Sequence, residues 1–274
     1  MGGVVLPVHD VNPVRRTPWV TYALIATNIV IFLMSPAYMM VGVGDVSTAD
    51  LCQQEAYFDR YGAIPREMLD NEQLPRVPTG EVGVGAGGEG CVVAPPTYEK
   101  NIYLSVLSSM FLHAGWLHLL GNMLFLWVFG NNIEDRFGRI RYLLFYLATG
   151  FVAAYGFAAA DPSLSQPLIG ASGAVSGVLG AYLILYPRAR VWSLVPFLLF
   201  LPLKLPAWFV LGLWFVLQWL YSSGYAVTDA GEVAFLAHVI GFLFGAFIAI
   251  FVRAFGGPAP PLPEPRRRPV RRAY

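Results

Sequence analysis

The sequence predicts an all-α polytopic membrane protein of six transmembrane helices, with both termini on the cytoplasmic side. Three observations predict it. Hydrophobic residues fill 56% of the 274 positions and charged residues only 13%, with a mean hydropathy of +0.56; ordinary soluble domains are far more polar. Uncharged runs of the ~20 residues that a bilayer crossing needs recur along the chain. The placement of lysine and arginine in successive loops agrees on a single topology.

In order, helices are expected near 19–40, 106–130, 142–160, 168–187, 207–223 and 233–252. The first is no cleavable signal peptide, because its apolar run is long and no small-residue cleavage site follows it. Arg15 and Arg16 precede it. Arg136, Arg139 and Arg141 follow the second helix, Arg188 and Arg190 the fourth, and Arg253 the sixth. The alternate segments Asp161–Gln166 and Ser222–Glu232 carry no lysine or arginine. The segment Gly42–Asn101 holds ten acidic residues against Arg60, Arg66, Arg76 and Lys100. The net charge of +1 thus conceals an acidic outer loop and a basic inner tail.

This divides the chain into a cytoplasmic lead-in (1–18), a membrane domain (19–253) with the outer loop 42–101 between its first two helices, and a Pro/Arg-rich cytoplasmic tail (254–274). The tail reads as a disordered segment that touches anionic membrane lipid. No nucleic-acid fold accompanies its charges, so nucleic acid is not expected as a partner. Gly80–Gly88 reads as a flexible, exposed stretch. Val191–Leu205 is apolar but interrupted by prolines, and reads as a bent interfacial connection rather than a seventh helix. The only cysteines, Cys52 and Cys91, share the outer loop. In an oxidising compartment they are expected to pair, with two free thiols as the alternative, for a stabilisation of up to ~4 kcal/mol in the chain-entropy model.

Polar groups at membrane depth are rare and face a protein interior or a water-filled cavity. Ser172 lies in Gly170-Ala171-Ser172-Gly173, and His238 in Ala237-His238-Val239-Ile240-Gly241. Each enters its helix from the outer side, so at ~1.5 Å per residue the two share a depth. Gly170, Gly173, Gly177 and Gly180, with Ala234, Ala237, Gly241 and Gly245, recur at helical spacing and let the two helices approach closely. A serine and a histidine so placed are the parts of a nucleophile–base pair. His118 and Asn122 are four apart on one face of the second helix. With the Ser172 backbone N–H they are candidate donors to an oxyanion. His113 lies nearer the surface. Water for hydrolysis is expected from the outer face, beneath a cover formed by Ser222–Glu232 with Gly224 and Gly231 as hinges.

The segments Phe111-Leu112-His113-Ala114-Gly115-Trp116-Leu117-His118-Leu119-Leu120-Gly121-Asn122-Met123, Gly170–Gly173 and Ala237–Gly241 resemble the three core motifs of the rhomboid intramembrane serine proteases. Glu134-Asp135-Arg136-Phe137-Gly138 resembles that family's turn after the second core helix. The resemblance spans roughly residues 15–253. It implies a six-helix rhomboid-like bundle in a cell membrane, of bacterial type in the inner membrane, with a Ser172–His238 dyad that cleaves transmembrane protein substrates. It implies an oxyanion hole from His118, Asn122 and the Ser172 N–H, and no metal or cofactor. Two positions depart from well-studied bacterial members. Leu104 and Ser105 replace a Trp-Arg pair, and Ser176 replaces a tyrosine beneath the histidine, which makes Ser176 the candidate for positioning His238. The alternatives are a catalytically silent rhomboid-like protein that binds membrane clients and, further off, a transporter. Transporters usually show carboxylates within the spans.

Overall fold

The computed structural model describes residues 6–38, 46–85, 88–195, 201–223 and 234–255. The expected loop cover (Ser222–Glu232) with Gly224 and Gly231, and the basic tail, lie almost wholly outside these residues.

The first helix, α1 (Trp19–Leu33), ends earlier than expected and passes into a 3-10 turn at Pro36–Tyr38. Pro18 offers no side-chain cap. The Glu134 carboxylate does so instead, accepting from Val20 N (3.0 Å), Thr21 N (2.8 Å) and Thr21 Oγ1 (2.8 Å). A carboxylate there satisfies orphan N–H groups and complements the helix dipole. The neighbouring Asp135 accepts from Arg15 Nε at 2.7 Å. The Glu-Asp-Arg turn therefore clamps the start of the chain to the second core helix.

The segment from Val46 to Asn101 holds more structure than a flexible loop. It contains α2 (Thr48–Tyr61), α3 (Pro65–Asp70) and a hairpin of β2 (Val77–Gly85) with β3 (Gly88–Ala94). The glycine-rich stretch expected to be flexible is largely this hairpin. Cross-strand backbone bonds need no side chains, and Gly80 adopts φ +87° where other residues are strained. Cys52 on α2 is bonded to Cys91 on β3. Inside the segment Lys100 Nζ lies 2.6 Å from a Glu67 carboxylate oxygen, both side chains almost fully buried. Burial holds the neighbouring Asp59 carboxyl above the ordinary carboxylate range, with Lys100 and Tyr98 acting against it.

The expected helix 106–130 is two pieces. A short α4 (Ile102–Ser109) ends in a turn, and α5 (Trp116–Phe125) then runs through a π-helical turn (Leu126–Gly130) into α6 (Asn131–Phe137). Residues 116–137 are thereby continuously helical. After Gly138, at φ +81°, come α7 (Arg139–Ala160) and α8 (Ser172–Leu185), the latter starting four residues later than expected.

The interrupted segment after α8 forms β4 (Arg190–Val195) and β5 (Leu201–Pro206), and the lead-in supplies β1 (Leu6–Asp10). They make an antiparallel sheet in the order β1-β4-β5. A wholly α description is therefore incomplete. Pro202 and Pro206 fall on an edge strand, where a missing N–H costs little. Buried Asp10 is held by Tyr182 Oη and by Asn132 Nδ2 at 2.8 Å. Burial raises its carboxyl pKa against those bonds.

The last helices are α9 (Ala207–Ser222) and α10 (Phe235–Phe255). α7 and α10 are long and apolar enough to cross a membrane, whereas α1, α8 and α9 are shorter apolar helices. α8 sits in the middle, with Ala174 to Tyr182 buried without interruption. Outward faces are apolar instead of charged: Ile29 and Leu33 on α1, Trp208 and Trp219 on α9, Leu243 and Phe247 on α10.

Candidate active site

Close backbone approach brings the site together. A Cβ on Gly241 would lie 2.2 Å from the Gly173 carbonyl oxygen, and one on Gly245 2.0 Å from that of Gly177. A Cβ on Gly180 would lie 2.0 Å from the Phe242 oxygen. On the other side of α8, Gly173 and Gly177 meet Ala153 and Thr149 of α7. α8 and α10 are thus pressed backbone to backbone, and α7 closes on α8 through the side chains of Ala153 and Thr149, contacts that only small residues permit. The α8–α10 crossing sets Ser172 Oγ 2.7 Å from His238 Nε2.

Ser172 is the first residue of α8, with part of its side chain accessible. N–H groups in a first helical turn have no carbonyl one turn back, and the helix dipole favours negative charge beside them. The turn leading to Ser172 is fixed from two sides. Gly170 N donates to Ser109 O at 2.9 Å, and Leu168 pairs with Ala63 in the disulfide-bonded segment. Gly170 takes φ +122°. A Cβ there would meet His118 Nε2 at 2.7 Å and Ser172 Oγ at 3.4 Å. Glycine therefore lets the imidazole approach the turn more closely than any side chain would allow.

Asn122 lies one turn further along α5, and its amide nitrogen donates to the His118 carbonyl at 3.1 Å. That bond runs along the helix, not toward Ser172. His113 is buried before α5, with its ring 5.0 Å edge-on from that of His118. It supports His118 and has no described bond to the serine.

Ser176 does not position the histidine. Its hydroxyl donates to the Ser172 carbonyl at 2.6 Å, one turn back on the same helix. His238 Nδ1 instead meets Gln218 Oε1 of α9 at 2.7 Å. Trp214, one turn earlier on α9, places its ring 6.1 Å from the imidazole at 32°. Sequence reasoning missed Gln218. A signal was available: it is the lone amide in the apolar stretch Ala207–Leu220. At the places of Leu104 and Ser105, Leu104 is exposed and Ser105 Oγ donates within α4, to Ile102 O at 2.7 Å. Docking of the disulfide-bonded segment includes the Ala63–Leu168 pair, Arg66 N on Leu164 O at 3.1 Å, Gln54 Nε2 on Ala114 O at 3.2 Å and Ser108 Oγ on Tyr61 O at 2.5 Å.

The Rhomboid domain model matches residues 100–255, more than half of the chain. The chain belongs to the rhomboid family. It is accordingly a polytopic helical protein embedded in a membrane. A putative rhomboid protease of Bacillus subtilis, YdcA, is 35% identical over 80 residues, covering 29% of this chain and 40% of that relative. Rhomboid protein 1 of Saccharomyces cerevisiae mitochondria is 27% identical over 154 residues, 54% of this chain and 42% of the relative. The rhomboid protease GluP of Bacillus subtilis is 34% identical over 108 residues, 38% and 21% of the two chains. The chain thus spans less than half the length of these relatives. Two of the three are named as proteases, which supports an intramembrane protease at the level of the family. The matched region contains every candidate catalytic residue of this rhomboid and leaves out all but the last two residues of the disulfide-bonded segment.

Proposed function

We propose that this rhomboid is a serine endopeptidase that hydrolyses peptide bonds in or near transmembrane segments of other membrane proteins. The observation that carries the reading is the 2.7 Å contact between Ser172 Oγ and His238 Nε2. In the proposed reaction His238 Nε2 removes the hydroxyl proton as Ser172 Oγ attacks the scissile carbonyl. The oxyanion forms at the start of α8, where the Ser172 N–H, His118 and, after a rotation of its amide, Asn122 stabilise it. His238 then protonates the departing amine. Water admitted at the part-exposed dyad cleaves the acyl-enzyme by the same proton path in reverse.

The proposed topology has six spans and both termini in the cytoplasm, supported by the alternation of arginine between loops. A bacterial inner membrane is the proposed setting, with transmembrane proteins and lipid as partners. A silent client-binding protein would have no use for a serine–histidine contact at hydrogen-bond distance.

The test is cleavage of a membrane-anchored substrate, with labelling by a fluorophosphonate probe. Ser172→Ala and His238→Ala should each abolish both while the protein stays folded. The double variant should be scarcely worse than either, because the two residues act as a unit. Labelling that survives Ser172→Ala would reject the assignment. Asn122→Ala should cost about a hundredfold in turnover if Asn122 reaches the oxyanion. A loss of thermal stability alone would make it a packing residue.

A further inference from the structure

We propose that Gln218 is a positioning residue, whose side-chain oxygen holds His238 in the one tautomer able to take the proton from Ser172. This deepens the protease reading above and rests on it. A neutral imidazole carries a single N–H, and the nitrogen that bears it is set by what the other nitrogen must do. Gln218 Oε1 lies 2.7 Å from His238 Nδ1. A carbonyl oxygen only accepts, so Nδ1 bears the proton. The lone pair is left on Nε2, which faces Ser172 Oγ at 2.7 Å. With the amide oxygen facing the ring, the two contacts are consistent with a neutral imidazole in this tautomer, and a flipped amide would reverse it.

Gln218 sits where an amide needs a reason. It is 7% exposed, on a helix that reads Phe215-Val216-Leu217 before it and Trp219-Leu220 after it. An unpaired amide there is costly, and the histidine is its partner. Trp214, four residues earlier on α9, addresses the same ring. α9 thus supplies both the edge and a face of the imidazole's surroundings, the work that the position of Ser176 does not perform. The amide cannot accept a proton itself, so Gln218 orients and does not relay. When His238 becomes imidazolium the Nδ1–H bond turns charge-assisted and strengthens. The bond therefore favours the reacting state over the resting one.

The experiment uses the full chain in lipid nanodiscs, with ¹⁵N-labelled histidine. The His238 signals are assigned by their loss in His238→Ala. In the wild type they should show Nδ1 protonated and Nε2 bare. Gln218→Leu should move the proton toward Nε2 and lower kcat about tenfold or more, the effect of one lost orienting hydrogen bond, at unchanged KM. Gln218→Glu keeps an acceptor and should restore most of kcat. Wild-type kcat together with an unchanged tautomer in Gln218→Leu would overturn the proposal. So would a wild-type His238 protonated at Nε2, a readout that stands even if Gln218→Leu does not fold. Failure of the protease reading is separable: it would appear as Ser172-independent probe labelling, whereas the tautomer is measured without catalysis.

Discussion

The disulfide-bonded segment, residues 46–101, and the α7–α8–α10 core solve the same problem by different physics. The segment uses the devices of a small water-exposed domain: a capping box at Ser47 and Asp50, a buried Lys100–Glu67 pair, a glycine-rich hairpin and one covalent staple. The core has almost no charge to use. It is held by glycines that let backbones touch, and its buried hydroxyls on Thr149 and Ser176 bond back to their own helices. In lipid, apolar burial gives little drive for helices to associate, so close van der Waals fit carries the stability. Covalent and ionic bonds can be lost one at a time, but a backbone contact tolerates no added atom.

Substitutions in the two regions should therefore differ in kind. The largest effect is expected from Gly245→Leu, whose Cβ would fall 2.0 Å from the Gly177 oxygen. Overpacking against backbone should cost at least ~3 kcal/mol, the upper end for such changes. Thermal unfolding and probe labelling of Ser172 should collapse together; labelling at the wild-type rate would show that the helices can part without disturbing the dyad. Next comes Lys100→Met, which leaves the buried Glu67 without its cation while Leu74 N still donates to it at 3.0 Å. Breaking such a pair costs about 3–5 kcal/mol. Limited proteolysis should find the segment opened while the α8–α10 contact persists, so labelling is reduced far less than stability.

Cys52→Ser with Cys91→Ser should rank third. Closing a loop with a sequence separation of 39 residues is worth up to ~4 kcal/mol by chain entropy, and engineered losses often fall short of that. Non-reducing mass spectrometry checks the bond, and cleavage by the reduced protein checks its independence from catalysis. If removing the bridge abolishes cleavage outright, the Ala63–Leu168 link passes the segment's order to the Gly170 turn, and the two regions are not separable. The smallest effect should come from Ser47→Ala at the exposed start of α2. One lost cap costs ~1 kcal/mol, visible in the segment's hydrogen exchange and absent from the core's.

The helices were legible in the sequence where periodicity and length leave little choice, as for α7 and α10. The start of α8 was misjudged by four residues, because the Gly170 turn is set by Ser109 and Ala63 from distant segments. The β1-β4-β5 sheet was hidden for a similar reason. Pro202 and Pro206 look like interruptions but lie on the edge strand β5, while β4 takes its other partner, β1, from the far end of the chain. The Gly80–Gly88 stretch misled in the opposite sense, since composition rich in glycine does not reveal pairing made by backbone alone.

By itself the sequence singled out the residue types of the candidate site: a serine and a histidine on small-residue helices, with His118 and Asn122 on another. Helical rise and the scarcity of polar groups in lipid suffice for that. Only the tertiary structure decided what orients His238. The choice lay between Ser176, one turn along the serine's own helix, and Gln218 on α9, and no spacing rule links α9 to α10. Ser176 is close enough to its own backbone to spend its hydroxyl on the Ser172 carbonyl, so the imidazole takes its partner from the helix packed beside it.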